Sequence, residues 1–243
     1  MNETELTPIA VRHPDALAQR IDAVMSDLDG TLVDTLGDFC SAINRTLADL
    51  HLPAVAAGEI ALRVGKGSEH LLHSVLDWAC AQVPDGRAGA DPDALYADAW
   101  TRYQRHYEAI NGQHATVYPD VAQGLQCLRQ SGLRLVCLTN KPRAHALALL
   151  RGKGLDGCFE AVFGGDSFAR KKPDPLPLLK ACEWLGTAPG RTLMLGDSSN
   201  DAQAARAAGC PVVLVTYGYN HGRPVREVPA DGYVDRLTQL TGG

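Results

Sequence analysis

One stretch near the start of the chain indicates the fold: Ile21-Asp22-Ala23-Val24-Met25-Ser26-Asp27-Leu28-Asp29-Gly30-Thr31. Its apolar run, Ile21–Leu28, favours a buried β-strand. Because strand side chains alternate between two faces, Asp27 and Asp29 are predicted to lie on one side, and Gly30 permits a sharp turn after them. An Asp-Gly pair is also typical of a β-hairpin turn. The residues that follow, however, make a poor second strand.

Four further apolar runs alternate with segments of helical periodicity. The runs are Leu133–Thr139, Phe159–Gly164, Arg191–Gly196 and Pro211–Thr216, and the helical segments before them are Val121–Gln130, Arg143–Leu150, Leu176–Leu185 and Ala202–Ala208. This alternation is typical of βαβ units. It predicts an α/β fold with a doubly wound, Rossmann-like parallel sheet.

More than a hundred residues separate the first run from the second. They contain three Ala/Leu-rich stretches and two Pro/Gly/Asp-rich turns: Phe39–Leu50, Glu69–Cys80 and Ala94–Ile110, with turns at Leu52–Gly58 and Val83–Asp93. The interval is too long for a structureless loop. We therefore predict an α-helical domain inserted over residues 36–111 into a core formed by residues 20–35 and 112–243, after an N-terminal tail over residues 1–19.

Composition excludes several classes of protein. The 243 residues include 23 Lys and Arg against 28 Asp and Glu, a net charge of −5, which argues against a nucleic-acid or anionic-membrane partner. The first twenty residues, Met1–Arg20, contain no apolar stretch of signal-peptide length, and no apolar run in the chain approaches the ~20 residues of a membrane span. Seven cysteines at irregular intervals, without a Cys-x-x-Cys pair, favour reduced thiols and a cytoplasmic protein. The oligomeric state is not determined by these features.

Three more polar motifs follow predicted strands. Asp197 in Gly196-Asp197-Ser198-Ser199-Asn200-Asp201 is placed to face a site, whereas its serines and Asn200 are typical helix caps and the role of Asp201 stays open. Thr139-Asn140-Lys141-Pro142 offers an anion site at a helix start, or a simple turn. In Lys171-Lys172-Pro173-Asp174-Pro175 the lysines could also be merely solvated.

Together these motifs indicate a phosphoryl site with a metal. They lie at the carboxyl ends of strands, where doubly wound sheets bind ligands. Two carboxylates ~4 Å apart repel by about 4 kcal/mol at an effective dielectric of 20, so the cluster needs cations. All-oxygen ligands suit Mg²⁺, and Lys172 supplies another positive charge. Such a site complements a phosphoryl group.

The four motifs resemble, in the same order, those of the haloacid dehalogenase superfamily of phosphatases. The matching segments are Asp27–Thr31, Thr139-Asn140, Lys172-Pro173 and Gly196–Asp201. The resemblance implies that Asp27 is a nucleophile that forms an aspartyl-phosphate and that Asp29 is the acid and base. It also implies that Thr139, Asn140 and Lys172 bind the substrate. Mg²⁺ would be held by the Asp27 carboxylate, the Asp29 backbone carbonyl and Asp197, with Asp201 supporting through water or Lys172.

The same resemblance makes the insert a cap over the site. Within it, Arg63-Val64-Gly65-Lys66-Gly67 is similar to a cap loop that reaches the active site, so Arg63 or Lys66 could meet a substrate carboxylate. A helix stop with two solvated cations is the other interpretation.

A narrower similarity to bacterial phosphoglycolate phosphatases is carried by Ala207–Pro211 and Thr216–Gly222. It implies hydrolysis of a small phosphorylated metabolite, 2-phosphoglycolate, to glycolate and phosphate. A sugar-phosphate phosphatase and a phosphomutase of the same superfamily are the alternatives. A phospho-accepting receiver module of a signalling system is disfavoured, because such modules lack a hundred-residue insert and their accepting Asp does not follow the first strand.

Overall fold

A parallel six-stranded sheet lies at the centre of the computed structural model, which describes residues 21–83 and 92–241. The strands along the chain are β1 (Ala23–Ser26), β2 (Val33–Asp34), β3 (Thr116–Val117), β4 (Arg134–Leu138), β5 (Ala161–Phe163), β6 (Thr192–Gly196), β7 (Val212–Val215) and β8 (Gly232–Val234). The sheet order is β5-β4-β1-β6-β7-β8, and β2 pairs with β3 in a separate antiparallel ladder. The predicted tail over residues 1–19 lies outside the described residues.

Strand β1 is central because its side chains are apolar on both faces. Val24 packs in one buried cluster, whereas Ala23 and Met25 pack in another on the opposite face. Helices cover each face, as expected for a doubly wound sheet. After β1 the chain adds β4 and then β5 on one side of it, and afterwards β6, β7 and β8 on the other side. The predicted α/β fold is therefore confirmed, and β1 marks the point where the strand order reverses.

Eight α-helices are described. They are α1 (Leu36–Asp49), α2 (Ala57–Ala61), α3 (Ser68–Ala81), α4 (Pro92–Ile110), α5 (Val121–Gln130), α6 (Arg143–Gly152), α7 (Leu176–Leu185) and α8 (Ser199–Ala208). Apolar residues of α5 and α6 belong to the cluster on one face of the sheet, and those of α7 and α8 to the cluster on the other. In the part of the chain that is described, no helix is both long and apolar enough to span a membrane.

The helices between β2 and β3 surround an apolar cluster of their own. It includes Ile43 and Leu47 of α1, Leu72 of α3 and Tyr107 of α4. We call helices α1–α4 and their connections the helical insert. The domain boundaries proposed above stay a prediction, although the separate cluster agrees with them.

Several elements differ from the sequence prediction. Helix α2 begins inside the predicted turn Leu52–Gly58, because Ile60 is buried in the cluster of the insert. The ladder of β2 and β3 and the edge strand β8 were not predicted; each is only two or three residues long. The other predicted turn, Val83–Asp93, falls largely outside the described residues.

Candidate active site

Asp27 and Asp29 lie just beyond the carboxyl end of β1, at the point where the strand order reverses. The Asp27 backbone N–H donates to the Leu195 carbonyl at 2.8 Å, which ties the residue to β6. Its carboxylate accepts a hydrogen bond from the Leu28 N–H at 2.7 Å. Asp27 and Asp29 both line one narrow cavity, as predicted from their spacing.

Lys172 joins two of the buried carboxylates. Its Nζ lies 3.1 Å from Asp27 Oδ2, 2.7 Å from Asp201 Oδ1 and 2.9 Å from the Leu138 carbonyl. All three donors of the ammonium therefore have partners. Burial alone would lower the pKa of Lys172, but Asp201 and Asp27 outweigh it and raise that pKa. Lys172 is thus a buried positive charge beside Asp27. It is not the solvated surface lysine that the sequence left as an alternative.

Asp201 is committed to protein contacts through both oxygens. Oδ1 receives the ammonium of Lys172, and Oδ2 accepts from the Ser198 hydroxyl at 2.9 Å and from the backbone N–H groups of Asp197 and Ser198 at 3.2 Å. The contact with Ser198 is part of a capping box at the start of α8. Asp201 therefore organises the loop that carries Asp197.

Asp197 follows β6 and is 3% exposed. Its Oδ2 accepts from the Tyr219 N–H at 2.6 Å, and its Oδ1 is 3.3 Å from the Thr31 hydroxyl. Burial, and then the neighbouring Asp201 and Asp27, raise the pKa of Asp197 well above its usual range. Burial likewise raises the pKa of Asp27 to about 6 against the opposing effect of Lys172.

The charge of this cluster fits a cation. Carboxylate oxygens of Asp27, Asp197 and Asp201 lie within 4.8 Å of one another. Lys172 balances one of these three buried carboxylates, which leaves a surplus of negative charge. An all-oxygen donor set of this kind suits a hard divalent ion such as Mg²⁺.

Thr139 and Asn140 follow β4 and flank the cavity. The Thr139 hydroxyl accepts from the Lys141 N–H at 3.3 Å. The Asn140 amide donates to the Lys172 carbonyl at 2.9 Å and to the Gly65 carbonyl at 3.0 Å, and its oxygen accepts from the Lys172 N–H at 3.0 Å. The Asn140 side chain therefore connects the Lys172 loop to the helical insert. Direct contact of Asn140 with a substrate, which the resemblance implies, stays a prediction.

Lys141 pairs with Asp29, a contact that the sequence analysis missed. Its Nζ lies 2.9 and 3.2 Å from the two Asp29 oxygens. The ammonium also lies 4.8 Å from the ring centroids of Phe39 and Tyr107, both on the insert. Asp27 and Asp29 thus have separate lysine partners.

The helical insert closes the cavity from the other side, and the space between is about 20 Å³. Asn140 and Asn200 both donate to the Gly65 carbonyl, at 3.0 and 3.1 Å. Lys171 forms an ion pair with Glu69 of α3. A water molecule fits in the cavity, but a phosphate ester is larger.

The comparison with protein families agrees with this arrangement. The sequence model of the haloacid dehalogenase-like hydrolases matches residues 21–209. The chain belongs to this family.

Relatives of this hydrolase are similar over most of its length. It is 44% identical over 220 residues to the phosphoglycolate phosphatase of Thiobacillus denitrificans. The aligned residues cover 90% of this chain and 93% of the relative. It is 36% identical over 232 residues to that of Salmonella typhimurium, covering 91% and 92%. Among solved structures, a predicted phosphoglycolate phosphatase from Haemophilus somnus superposes with a TM-score of 0.86 at 32% identity, covering 91% of this chain and 96% of that one.

Arg63 and Lys66 of the hydrolase do not line the cavity. Arg63 forms an ion pair with Glu59 one helical turn away, at 2.8 Å. Lys66 lines a separate outer groove with Pro173 and His221. The loop reaches the cavity through Val64, Gly65 and Gly67 instead.

Tyr219 connects the hydrolase's site to the start of the insert. Its hydroxyl donates to the Asp34 carboxylate and accepts from the backbone N–H groups of Thr35 and Leu36 at 3.0 and 3.1 Å. Its own N–H holds Asp197, as described above. The available signal was its position in Thr216–Gly222, the segment that carries the narrower resemblance.

Gly30 provides a first testable prediction. Its φ is +85°, and a Cβ there would collide with Asp197 Oδ2 and lie 2.8 Å from the Tyr219 ring. We expect Gly30→Ala to lower kcat/KM by about a hundredfold, because the added Cβ would displace the Asp197 carboxylate by about 1 Å. Gly132→Ala is the matched control, since Gly132 has φ +82° and open space around it.

Both variants should lose about 1–2 kcal/mol of stability from the left-handed backbone. Steady-state kinetics and thermal unfolding separate the two effects. Equal activity in the two variants would show that the close approach of Gly30 to Asp197 has no catalytic consequence.

Proposed function

We propose that this hydrolase is a Mg²⁺-dependent phosphatase that converts 2-phosphoglycolate to glycolate and phosphate through an aspartyl-phosphate at Asp27. The observation that carries the proposal is the position of Asp27. It lies beside the buried ammonium of Lys172 and within 4.8 Å of two further carboxylates, and it lines a narrow cavity to which the helical insert also contributes. The names of the relatives support the choice of substrate.

In the proposed first step, a carboxylate oxygen of Asp27 attacks phosphorus and the bond to the ester oxygen breaks. Asp29, protonated at this stage, donates its proton to that oxygen, and glycolate leaves. In the second step Asp29 takes a proton from water, the water oxygen attacks phosphorus, and the bond to Asp27 breaks to release phosphate. Carboxylate nucleophiles and paired acid–base residues are suited to such two-step displacements.

Lys172 and Asp201 position the nucleophile in this scheme. The ammonium of Lys172 fixes Asp27 and offsets the repulsion between its carboxylate and an anionic substrate. Asp201 in turn fixes Lys172. Thr139 would bind phosphoryl oxygens, as the resemblance implies, and it lines the same cavity as Asp27.

The Asp27 carboxylate, the Asp29 backbone carbonyl and Asp197 would hold the Mg²⁺. When bound, the ion supplies positive charge that is shared by the nucleophile and the phosphoryl oxygens. Because both Asp201 oxygens have protein partners, we assign Asp201 a supporting role.

The helical insert is proposed to act as a cap over the site. An outward movement of the insert would admit the substrate to the narrow cavity beneath it. Its return would exclude bulk water from the reaction. The cytoplasmic location stays a prediction.

A screen of phosphate release tests this function. The protein, with Mg²⁺, is supplied with phosphorylated acids, sugar phosphates and p-nitrophenyl phosphate. We expect multiple turnovers and the highest kcat/KM for 2-phosphoglycolate. A single turnover would indicate a receiver module. Release of little phosphate from a hexose phosphate would indicate a phosphomutase. A higher kcat/KM for a sugar phosphate than for 2-phosphoglycolate would indicate a sugar-phosphate phosphatase.

A second testable prediction concerns the metal. Asp197→Ala should raise the Mg²⁺ concentration needed for half-maximal activity by at least about tenfold, because loss of even an outer partner of a metal ligand lowers metal affinity by about 10–100-fold. Asp156→Ala, which removes an exposed carboxylate, is the control. The measurement is a Mg²⁺ titration after EDTA treatment. Full activity of the wild type without added metal would contradict the requirement.

A further inference from the structure

The proposed substrate carries a carboxylate that the cavity must recognise. 2-Phosphoglycolate differs from an alkyl phosphate such as ethyl phosphate by this group, one carbon from the ester oxygen. A carboxylate that leaves water needs a cationic partner, since an unpaired buried charge is costly. The following inference rests on the proposed function.

The wall that the helical insert contributes to the cavity carries no charged side chain among the described residues. It consists of Phe39, Val64, Gly65, Gly67, Ser68 and Leu71. The residues outside the insert contribute two carboxylates and a single cation, Lys141. Positive charge for a substrate carboxylate is therefore found on the loop after β4.

Lys141 lies where that carboxylate would arrive. If Asp29 protonates the ester oxygen, that oxygen lies beside the Asp29 carboxylate. Lys141 Nζ is bonded to the same carboxylate at 2.9 and 3.2 Å. The ammonium is consequently next to the leaving group, and the substrate carboxylate is separated from the ester oxygen by one methylene.

The surroundings of Lys141 hold its ammonium group in place and shield it from water. Its side chain is 1% exposed, and the rings of Phe39 and Tyr107 lie 4.8 Å from Nζ. These rings can stabilise a cation through their faces but cannot form an ion pair with it. While Asp29 carries the proton that it donates in the first step, the ammonium can still donate a hydrogen bond to Asp29 and can form an ion pair with an incoming anion.

We propose that Lys141 is the specificity-determining residue that binds the substrate carboxylate. This assigns recognition of the acid to the loop after β4, whereas the sequence pointed to Arg63 or Lys66. Arg63 forms an ion pair with Glu59, and Lys66 lines the outer groove.

The test compares kcat/KM for 2-phosphoglycolate and for ethyl phosphate in the wild type and in Lys141→Gln, Lys141→Met and Lys141→Arg. Gln can still donate a hydrogen bond to Asp29, so it removes the charge while keeping a partner for that residue. Met keeps apolar contact with the rings of Phe39 and Tyr107. Lys180→Met, on the surface of α7, is the matched control.

We expect the ratio of the two kcat/KM values to fall by about ten- to a hundredfold in Lys141→Gln and Lys141→Met, the range of a charge-assisted hydrogen bond. Lys141→Arg should retain most of the preference. O-phosphoethanolamine, which carries a cationic CH2NH3+ group in place of the carboxylate, should gain relative to 2-phosphoglycolate in the neutral variants.

Two results overturn the inference in different ways. If the wild type has the same kcat/KM for ethyl phosphate as for 2-phosphoglycolate, the proposed substrate is wrong and the inference fails with it. If the wild type prefers 2-phosphoglycolate but both neutral variants keep that preference, the inference alone is wrong. Equal losses on both substrates belong to this second case, since Lys141 would then act by positioning Asp29.

Discussion

Asp27→Asn is expected to reduce turnover by at least about ten-thousandfold, because the amide cannot attack phosphorus and is a poor metal ligand. The change is nearly isosteric. Lys172 keeps its ion pair with Asp201, so its charge is not left unpaired. Steady-state phosphate release measures the loss, and thermal unfolding measures whether the fold survives.

The fold should survive this substitution, since it removes one of three crowded carboxylates. A matched change at an exposed position, Asp156→Asn, controls for the general effect of losing a carboxylate. Turnover of Asp27→Asn near the rate of the wild type would eliminate the covalent mechanism.

Asp29→Asn is expected to have an effect that depends on the leaving group. For 2-phosphoglycolate, whose leaving alkoxide is strongly basic, the loss of the proton donor should cost about 10²–10⁴-fold in kcat/KM. For p-nitrophenyl phosphate the first step should be affected far less, because the phenolate leaves without a proton. Comparison of the two substrates in one variant removes differences in folding or concentration.

The second step should be impaired for both substrates, since the phosphoenzyme is the same. With p-nitrophenyl phosphate, Asp29→Asn should therefore release about one equivalent of p-nitrophenol rapidly and then turn over slowly. A linear time course and equal losses for both leaving groups would assign Asp29 a role other than acid and base.

The sequence was sufficient for the sheet and the position of the site because both depend on local patterns. Buried strands read as apolar runs, and parallel strands bring their carboxyl ends to one edge. Asp27, Asp197 and Lys172 were therefore predicted to approach one another, and they do. The edge strand β8 has three residues, of which only Val234 is buried, so its pattern is too short to detect.

Contacts across the cavity could not be predicted in the same way. Lys141 and Asp29 are 112 positions apart, and Asn140 and Gly65 are 75 apart. The contact between Asn140 and Gly65 depends on how the helical insert meets the sheet, which no local pattern encodes. Lys141 and Asp29 follow the neighbouring strands β4 and β1, but the sequence does not show which lysine near that edge turns toward which carboxylate. The contact of Arg63, by contrast, is local and could have been predicted. Glu59, four residues earlier, offers a carboxylate that competes with any substrate for Arg63.

Acid quenching of Asp29→Asn during the rapid phase with p-nitrophenyl phosphate, followed by mass spectrometry of its peptides, tests the central claim most directly. The account predicts that the peptide containing Asp27 gains the mass of one phosphoryl group, and that hydroxylamine removes it, as expected for an acyl phosphate. The same treatment of Asp27→Asn should give no modified peptide. A rapid release of p-nitrophenol with Asp27 unmodified, or with the phosphoryl group on another residue, would contradict the account.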